Sequence, residues 1–357
     1  MAAPLSVTRD YGTNLSLAND RLEKKGKTQD AIFKSNPTLA FMMEKGRYVD
    51  VGSGEKIMVN LMYGKNATAK SINEYGTVDT TPTDPITRAW YDRAIYTVQL
   101  NTTKTQVSRN SGAHQIVKLV DELRRNATMS LSEQLNEDLW AGEGLTTAVT
   151  GNGGLNIISI PMIAPALAVG SNNINIGGIS PPTYTWWHPQ YTTTARTTWA
   201  LLHAGIRKVK HDCSKGSGGA PDISISTQNA YESFEASLQT DARYTNNPPS
   251  ATIDFESITA KGIRLYWDEH VPDAYGSGTD PYDWDSSSFT THTIYMLNTK
   301  FLALGYDPEF NFTYTPFSTP EDQPLVLISS GIWVGQLLCY NRRKHGVVSR
   351  ISADLTS

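Results

Sequence analysis

At 357 residues the chain is too long for one small core, and two domains are expected. A hydrophobic share of 39% supports a core with much polar chain outside it, and a net charge of −4 excludes a histone-like protein held to nucleic acid by charge alone. Cys213 and Cys339 are too few for a disulfide framework and point to a reducing compartment.

Residues 1–13 show no positive segment followed by an apolar one, so no secretory signal is expected. No window approaches the roughly eighteen apolar residues of a membrane span. Met1 to Lys34 is polar and charge-mixed, with a basic cluster at Arg21 to Lys27, and reads as an arm, solvated or draped on a partner. Gly26-Lys27-Thr28 resembles the end of a phosphate loop, but Arg21 stands where that motif needs glycine.

From Lys56 the apolar residues alternate: Ile57, Val59, Leu61 and Tyr63 face one way and Lys56, Met58, Asn60 and Met62 the other. Alternation returns over Trp90 to Leu100, with Trp90, Asp92, Ala94, Tyr96, Val98 and Leu100 on one face. Between the two runs, Gly64 to Pro85 is polar and rich in turn formers. The pattern predicts a long two-stranded ribbon with a polar tip. Such a ribbon is marginal alone, so it lies either on its own body or on a neighbouring subunit.

Gly112 to Gly142 predicts one long amphipathic helix. Ile116, Leu119, Val120, Leu123, Ala127, Leu131, Leu135 and Leu139 recur at helical steps, while Lys118, Asp121, Glu122, Arg124, Arg125, Glu133, Glu137 and Asp138 belong on the wet face. Its length would be roughly 45 Å, enough to act as a spine. Gly144 to Pro182 reads as irregular connection with short strands around Ile157 to Ile163, and its glycines complete no dinucleotide fingerprint.

Thr192 to Asp212 predicts a second helix, with Ala195, Trp199, Leu202, Ile206 and Val209 inward and Arg196, Arg207, Lys208 and Lys210 on a solvated face. A short strand over Asp222 to Ser226 precedes a third helix, capped by Ser226 or Thr227 and striped by Tyr231, Phe234, Leu238 and Ala242. Further strands are expected at Ile263 to Trp267, Thr293 to Leu297, Leu325 to Ile328, Ile332 to Tyr340 and Val347 to Ile351, with a turn at Lys344-His345-Gly346. The loop from Pro272 to His292 carries Asp280, Asp283 and Asp285, which miss the spacing of a calcium hand and read as surface chain.

No constellation of residues points to catalysis. The nucleophile elbow, zinc-protease and paired-cysteine motifs are absent, and the seven histidines show no metal-ligand spacing. His203 and His211 lie two helical turns apart, too far for one metal. Asp268, Glu269 and His270 offer an acid–base group, and the position at a strand end favours capping or pairing instead. No catalytic, cofactor-binding or metal-binding residue is therefore assigned.

One set of residues, in order and spacing, resembles tailed-bacteriophage major capsid proteins, the fold named after phage HK-ninety-seven. It runs through Gly177-Gly178-Ile179, Tyr184, Trp186-Trp187, Trp199, Leu202, Pro221-Asp222-Ile223, Tyr231, Glu235 and Arg243-Tyr244. It continues through Gly262-Ile263, Trp267-Asp268, Tyr295-Met296-Leu297-Asn298-Thr299, Gly335 to Cys339 and Asn341-Arg342-Arg343. The resemblance implies an α+β fold with an N-terminal arm (1–50), an extended two-stranded loop (51–111) and a peripheral domain carrying the spine helix (112–180). An axial domain (181–324) and C-terminal strands returning to the peripheral domain (325–357) complete it.

It further implies a shell protein forming hexamers and pentamers around double-stranded DNA in a virion put together in the host cytoplasm, with no membrane contact. Scaffolding, portal and decoration proteins would be its partners. Some relatives cross-link Lys to Asn, and only position near the ribbon tip marks Lys65 and Lys70 for that. An encapsulin-like compartment shares the fold and is the first alternative. A hydrolase using Asp268 and His270, and a decoration or tail-tube protein, are further ones.

Overall fold

The computed structural model describes residues 37–44, 47–52, 54–66, 68–82, 84–109, 119–140, 155–165, 174–192, 194–240, 258–260, 262–271 and 291–356. The expected basic cluster at 21–27, the aspartate loop, Ala242 and both glycines bracketing the spine lie outside these residues. The chain divides into two units. One joins Ile95–Gln134 to Glu309–Val334, and the other joins Ser35–Ala94, Leu135–Pro308 and Gly335–Ser357.

Chain order begins with helix α1 (Pro37–Glu44), strand β1 (Arg47–Asp50) and the ribbon strands β2 (Lys56–Met62) and β3 (Ile86–Asp92). Strand β4 (Ala94–Thr103), the short helix α2 (Lys104–Arg109) and the spine α3 (Leu119–Trp140) follow. After α4 (Ile160–Ile163) come β5 (Gln190–Thr192), β6 (Arg196–Thr198), α5 (Trp199–Ser214), β7 (Ile223–Ser226) and α6 (Gln228–Thr240). The remainder is strand: β8 (Ile258–Ala260), β9 (Ile263–Trp267), β10 (Thr291–Leu297), β11 (Leu302–Tyr306), β12 (Thr313–Tyr314), β13 (Val326–Cys339) and β14 (Gly346–Thr356).

In the first unit, β13 takes β4 and β12 as partners, with Thr313 opposite Ile332 and Tyr314 opposite Gly331. Gly331 has no room for a side chain, because Tyr314 and Val98 fill that space. Trp333 packs its ring against Tyr96 and Phe312. The spine residues of this unit bury Ala127 and Leu131, and Thr128 shares a 2.6 Å hydroxyl contact with Tyr314.

In the second unit a seven-stranded mixed sheet runs β5-β14-β10-β7-β9-β8, with β6 also on β14. Its central strand β7 is buried at all four residues. Helices α5 and α6 cover the sheet through Leu202, Ile206, Val209, Tyr231 and Phe234, which meet Leu265, Ile294, Met296, Val348 and Ile351. A second strip pairs β1 parallel to β11 and β11 antiparallel to the last residues of β13.

Several sequence expectations change in detail. The stretch read as one helix from Thr192 begins as strands β5 and β6, since its threonines are β-branched and prefer extended backbone. Helix α5 then starts at Trp199, with the Thr198 hydroxyl accepting from the Leu201 amide as N-cap. Arg196 is consequently not on a wet helix face but buried, its guanidinium against Gly205 and bonded to the Leu201 carbonyl and the Thr192 hydroxyl. Thr227 caps α6, accepting from Ala230. Asp138, expected in water, is buried. The short strands expected around Ile157 to Ile163 give way to a helical turn at Ile160–Ile163. Lys344 and His345 are buried too, behind a tight turn over Arg342–Lys344.

Candidate self-association surface

The ribbon is antiparallel and unbroken from Lys56 opposite Asp92 to Met62 opposite Ile86. Its second strand is thus β3, not the expected Trp90–Leu100 run. The reason is a change of phase at Arg93. Odd residues Ala89 and Tyr91 are buried before it, and even residues Ala94, Tyr96 and Leu100 after it. A one-residue slip exchanges the two faces of a strand, so β3 serves the ribbon and β4 serves β13.

One ribbon face rests on its own subunit. Ile57, Val59, Leu61, Ala89 and Tyr91 are all buried. The Tyr91 hydroxyl donates to the Cys339 carbonyl at 2.8 Å, and the Trp90 amide donates to the Gly177 carbonyl at 3.1 Å. Gly177 and Gly178 both adopt positive φ, the left-handed region where glycine is unstrained. Tyr63 stacks on Trp186 with centroids 5.3 Å apart, at the point where the tip begins.

Arg93 fixes the root by donating to Asp307 at 2.7 Å and to the Gly52 carbonyl. Gln336 adds a bond from its amide nitrogen to the Asp92 carbonyl.

The opposite face carries Met58 beside Trp90 and Met62 beside Ile86, all exposed, with Met62 at 78%. Between and below these pairs lie Asn60 with Arg88 and the Lys56–Asp92 ion pair at 3.0 Å. The tip presents Ile72, Tyr75 and Val78 to solvent, Tyr75 at 93%. Lys65 and Lys70 are exposed there as well. Sequence alternation located β2 and misplaced the second strand, and which face would be covered at home was not readable from it.

Asp268 and His270 occupy a closed position. The buried Asp268 carboxylate accepts from the Thr38 amide and hydroxyl, from the His270 amide at 2.9 Å, and pairs with the His270 ring at 3.2 Å. Asn136 accepts from the Leu39 amide and turns its nitrogen to the His270 ring at 2.9 Å, while Trp140 donates to the Thr38 hydroxyl. Burial alone would raise the carboxyl, but the hydrogen bonds from His270 and Thr38 together hold it below the usual carboxylate range. The group caps α1 from 230 residues away, with the His270 and Asp268 side chains 5% and 0% exposed. Sequence reasoning placed Asp268 at a strand end as a cap or pair, and gave no sign of Thr38, Asn136 or Trp140.

His203 bonds Ser237, and His211 is exposed. Among the described residues no group of three His, Cys, Asp or Glu side chains is arranged to hold a metal, and no helix is long and apolar enough to cross a membrane.

No family sequence model and no curated protein sequence matches the chain. Solved structures do. The cyanophage A-1(L) capsid asymmetric unit contains a chain similar at a TM-score of 0.69 and 14% identity, over 94% of this chain and 98% of that one. This chain has the phage major-capsid fold.

The capsid of a native GTA particle is similar at 0.58 and 11% identity, over 98% and 100% of the two chains. The holo encapsulin complex of Synechococcus elongatus PCC 7942 is similar at 0.56 and 10% identity, over 94% and 96%. Helices and strands mix in the α+β manner expected for the capsid fold.

Proposed function

We propose that this chain is a major capsid protein, a structural shell subunit that assembles with copies of itself into hexamers and pentamers around double-stranded phage DNA. The observation carrying this reading is the ribbon. It is anchored at home by one face, and it displays an apolar outer face and tip, on a fold shared over nearly the whole chain with capsid subunits. Exposed Met, Trp and Tyr of this kind typify surfaces that a partner covers. Many such contacts, each weak, give a shell its strength through avidity.

In this reading α3 belongs to the peripheral domain and residues 181–324 to the axial domain, and the tip lies over an adjacent subunit. Scaffolding, portal and decoration proteins are its partners, its location is the virion after assembly in the host cytoplasm, and its role is mechanical rather than catalytic. The likeness to an encapsulin complex supports a second reading, a compartment loaded with protein. Electron microscopy of the purified protein tests the first: closed icosahedral shells are expected, and small finite oligomers under every assembly condition overturn it. Nucleic acid absorbance in particles from infected cells favours the virus, and a bound cargo protein favours the compartment.

A further inference from the structure

The ribbon has two edges, and among the described residues only one is engaged. In an antiparallel pair each residue sends its N–H and C=O to the same side. Trp90 gives its amide to Gly177, away from β2, so Met58 opposite it also turns its backbone groups away from β3. With period two, Lys56, Asn60 and Met62 do the same. Among the described residues no strand pairs with that outer edge of β2.

Exposed edges are normally blunted by proline, bulges or several charges. Strand β2 has no proline, an unbroken register and one charge, Lys56, which is tied to Asp92. An unblunted edge beside exposed Met58 and Met62 is a template for another strand.

We infer that β2 pairs antiparallel with β2 of a second copy about a two-fold axis at Val59, making a four-stranded sheet β3-β2-β2-β3 across two subunits. This rests on the proposed self-assembly and names one contact within it. Among two-fold registers, the one centred on Val59 overlaps all seven residues. It sets Met58 against Asn60 of the second copy and Lys56 against its Met62, with outward-pointing backbone groups facing each other. The same faces also meet, Ile57 with Leu61 inside and Met58 with Asn60 outside. Lys56 never faces its own copy, whereas a parallel pairing would set the two lysines side by side. The contact is isologous and self-complementary, as two-fold symmetry requires.

The register is tested by cross-linking. Full-length Met58→Cys and Asn60→Cys variants are mixed and oxidised; both positions are exposed, so both variants fold. The native thiols stay silent, since Cys213 and Cys339 are buried and burial pushes each up to about 12. Opposed residues in a hydrogen-bonded antiparallel pair lie about 5.5 Å apart at Cα, within disulfide reach. The mixture is expected to form a covalent dimer about tenfold faster than either variant alone or than Met58→Cys mixed with Met62→Cys, whose partners are out of register.

Equal rates in all mixtures, or no dimer, overturn the pairing. Closed shells without the cross-link defeat the pairing and leave the shell reading standing. The cross-link in a chain that never closes a shell supports the pairing and defeats the shell reading.

Discussion

Ala89 of the ribbon lies so near Gly177 that a Cβ placed on the glycine would come within 2.6 Å of the alanine methyl. This contact seats β3 on its own subunit, and the Trp90–Gly177 backbone bond lies beside it.

Replacing Gly177 by Val should therefore lift the ribbon. The left-handed backbone there disfavours a β-branched residue, and the added carbons overpack the seat, a cost of about 1–3 kcal/mol. Hydrogen exchange should accelerate at the amides of β2 and β3 and stay unchanged in β7 and β10. Equal protection of the ribbon in the variant would contradict this seating.

The Asp268 carboxylate should matter to stability in acid. Its carboxyl sits below the ordinary range in the folded chain, so the unfolded chain binds the proton more readily as pH falls. Stability from this group is complete above the unfolded value of 3.8 and is lost as pH drops through the lower folded value. Asp268→Ala should cost about 3–5 kcal/mol at neutral pH, because it strands the Thr38 and His270 donors in a buried place. Asp268→Asn should flatten the acid limb of a urea-midpoint-against-pH curve.

His345 acts over a different window. Burial lowers it to about 4 from 6.5, so it is neutral when folded and charges readily only when unfolded. Folded stability is whole above 6.5 and falls as pH descends from there to about 4. The loss approaches about 3 kcal/mol, at 1.36 kcal/mol per unit. Chemical denaturation of His345→Gln between pH 7 and 4 should show a shallower slope than the parent.

Arg342 is fully buried and gives its guanidinium to the carbonyls of Met162, Ile163 and Ile174 at 2.7, 2.8 and 2.9 Å. Arg342→Met keeps bulk and leaves those acceptors without this donor, at about 1–3 kcal/mol for each one left dry. A lowered melting temperature with the secondary structure preserved is the expected outcome, and an unchanged one would show that water replaces the guanidinium.

Local pattern made much of this architecture legible. Alternation placed β2, helical spacing placed the buried Ala127, Leu131, Leu135 and Leu139 of α3, and a hydroxyl before an apolar run placed the cap of α6. What failed had non-local causes. The ribbon's second strand was misplaced because Ala89 to Leu100 reads as one continuous alternation, while Arg93, where the phase slips, is held by Asp307 and Gly52, distant in sequence. Arg196 looked wet because charge on a helical repeat usually is, whereas here it precedes the helix and lies beneath it. The Asp268 cluster gathers residues up to 230 positions apart, and no window in the sequence spans them.

That separation has a temporal consequence. A ribosome adding about 5–20 residues each second releases Thr38 roughly ten to fifty seconds before Asp268 exists to receive it. Strand β1 must likewise wait for β11, and β10 for β14. Helix α1 therefore waits through most of synthesis for its carboxylate cap, and a truncated polypeptide ending before residue 268 would keep, of this cluster, only the Asn136 and Trp140 contacts to hold it.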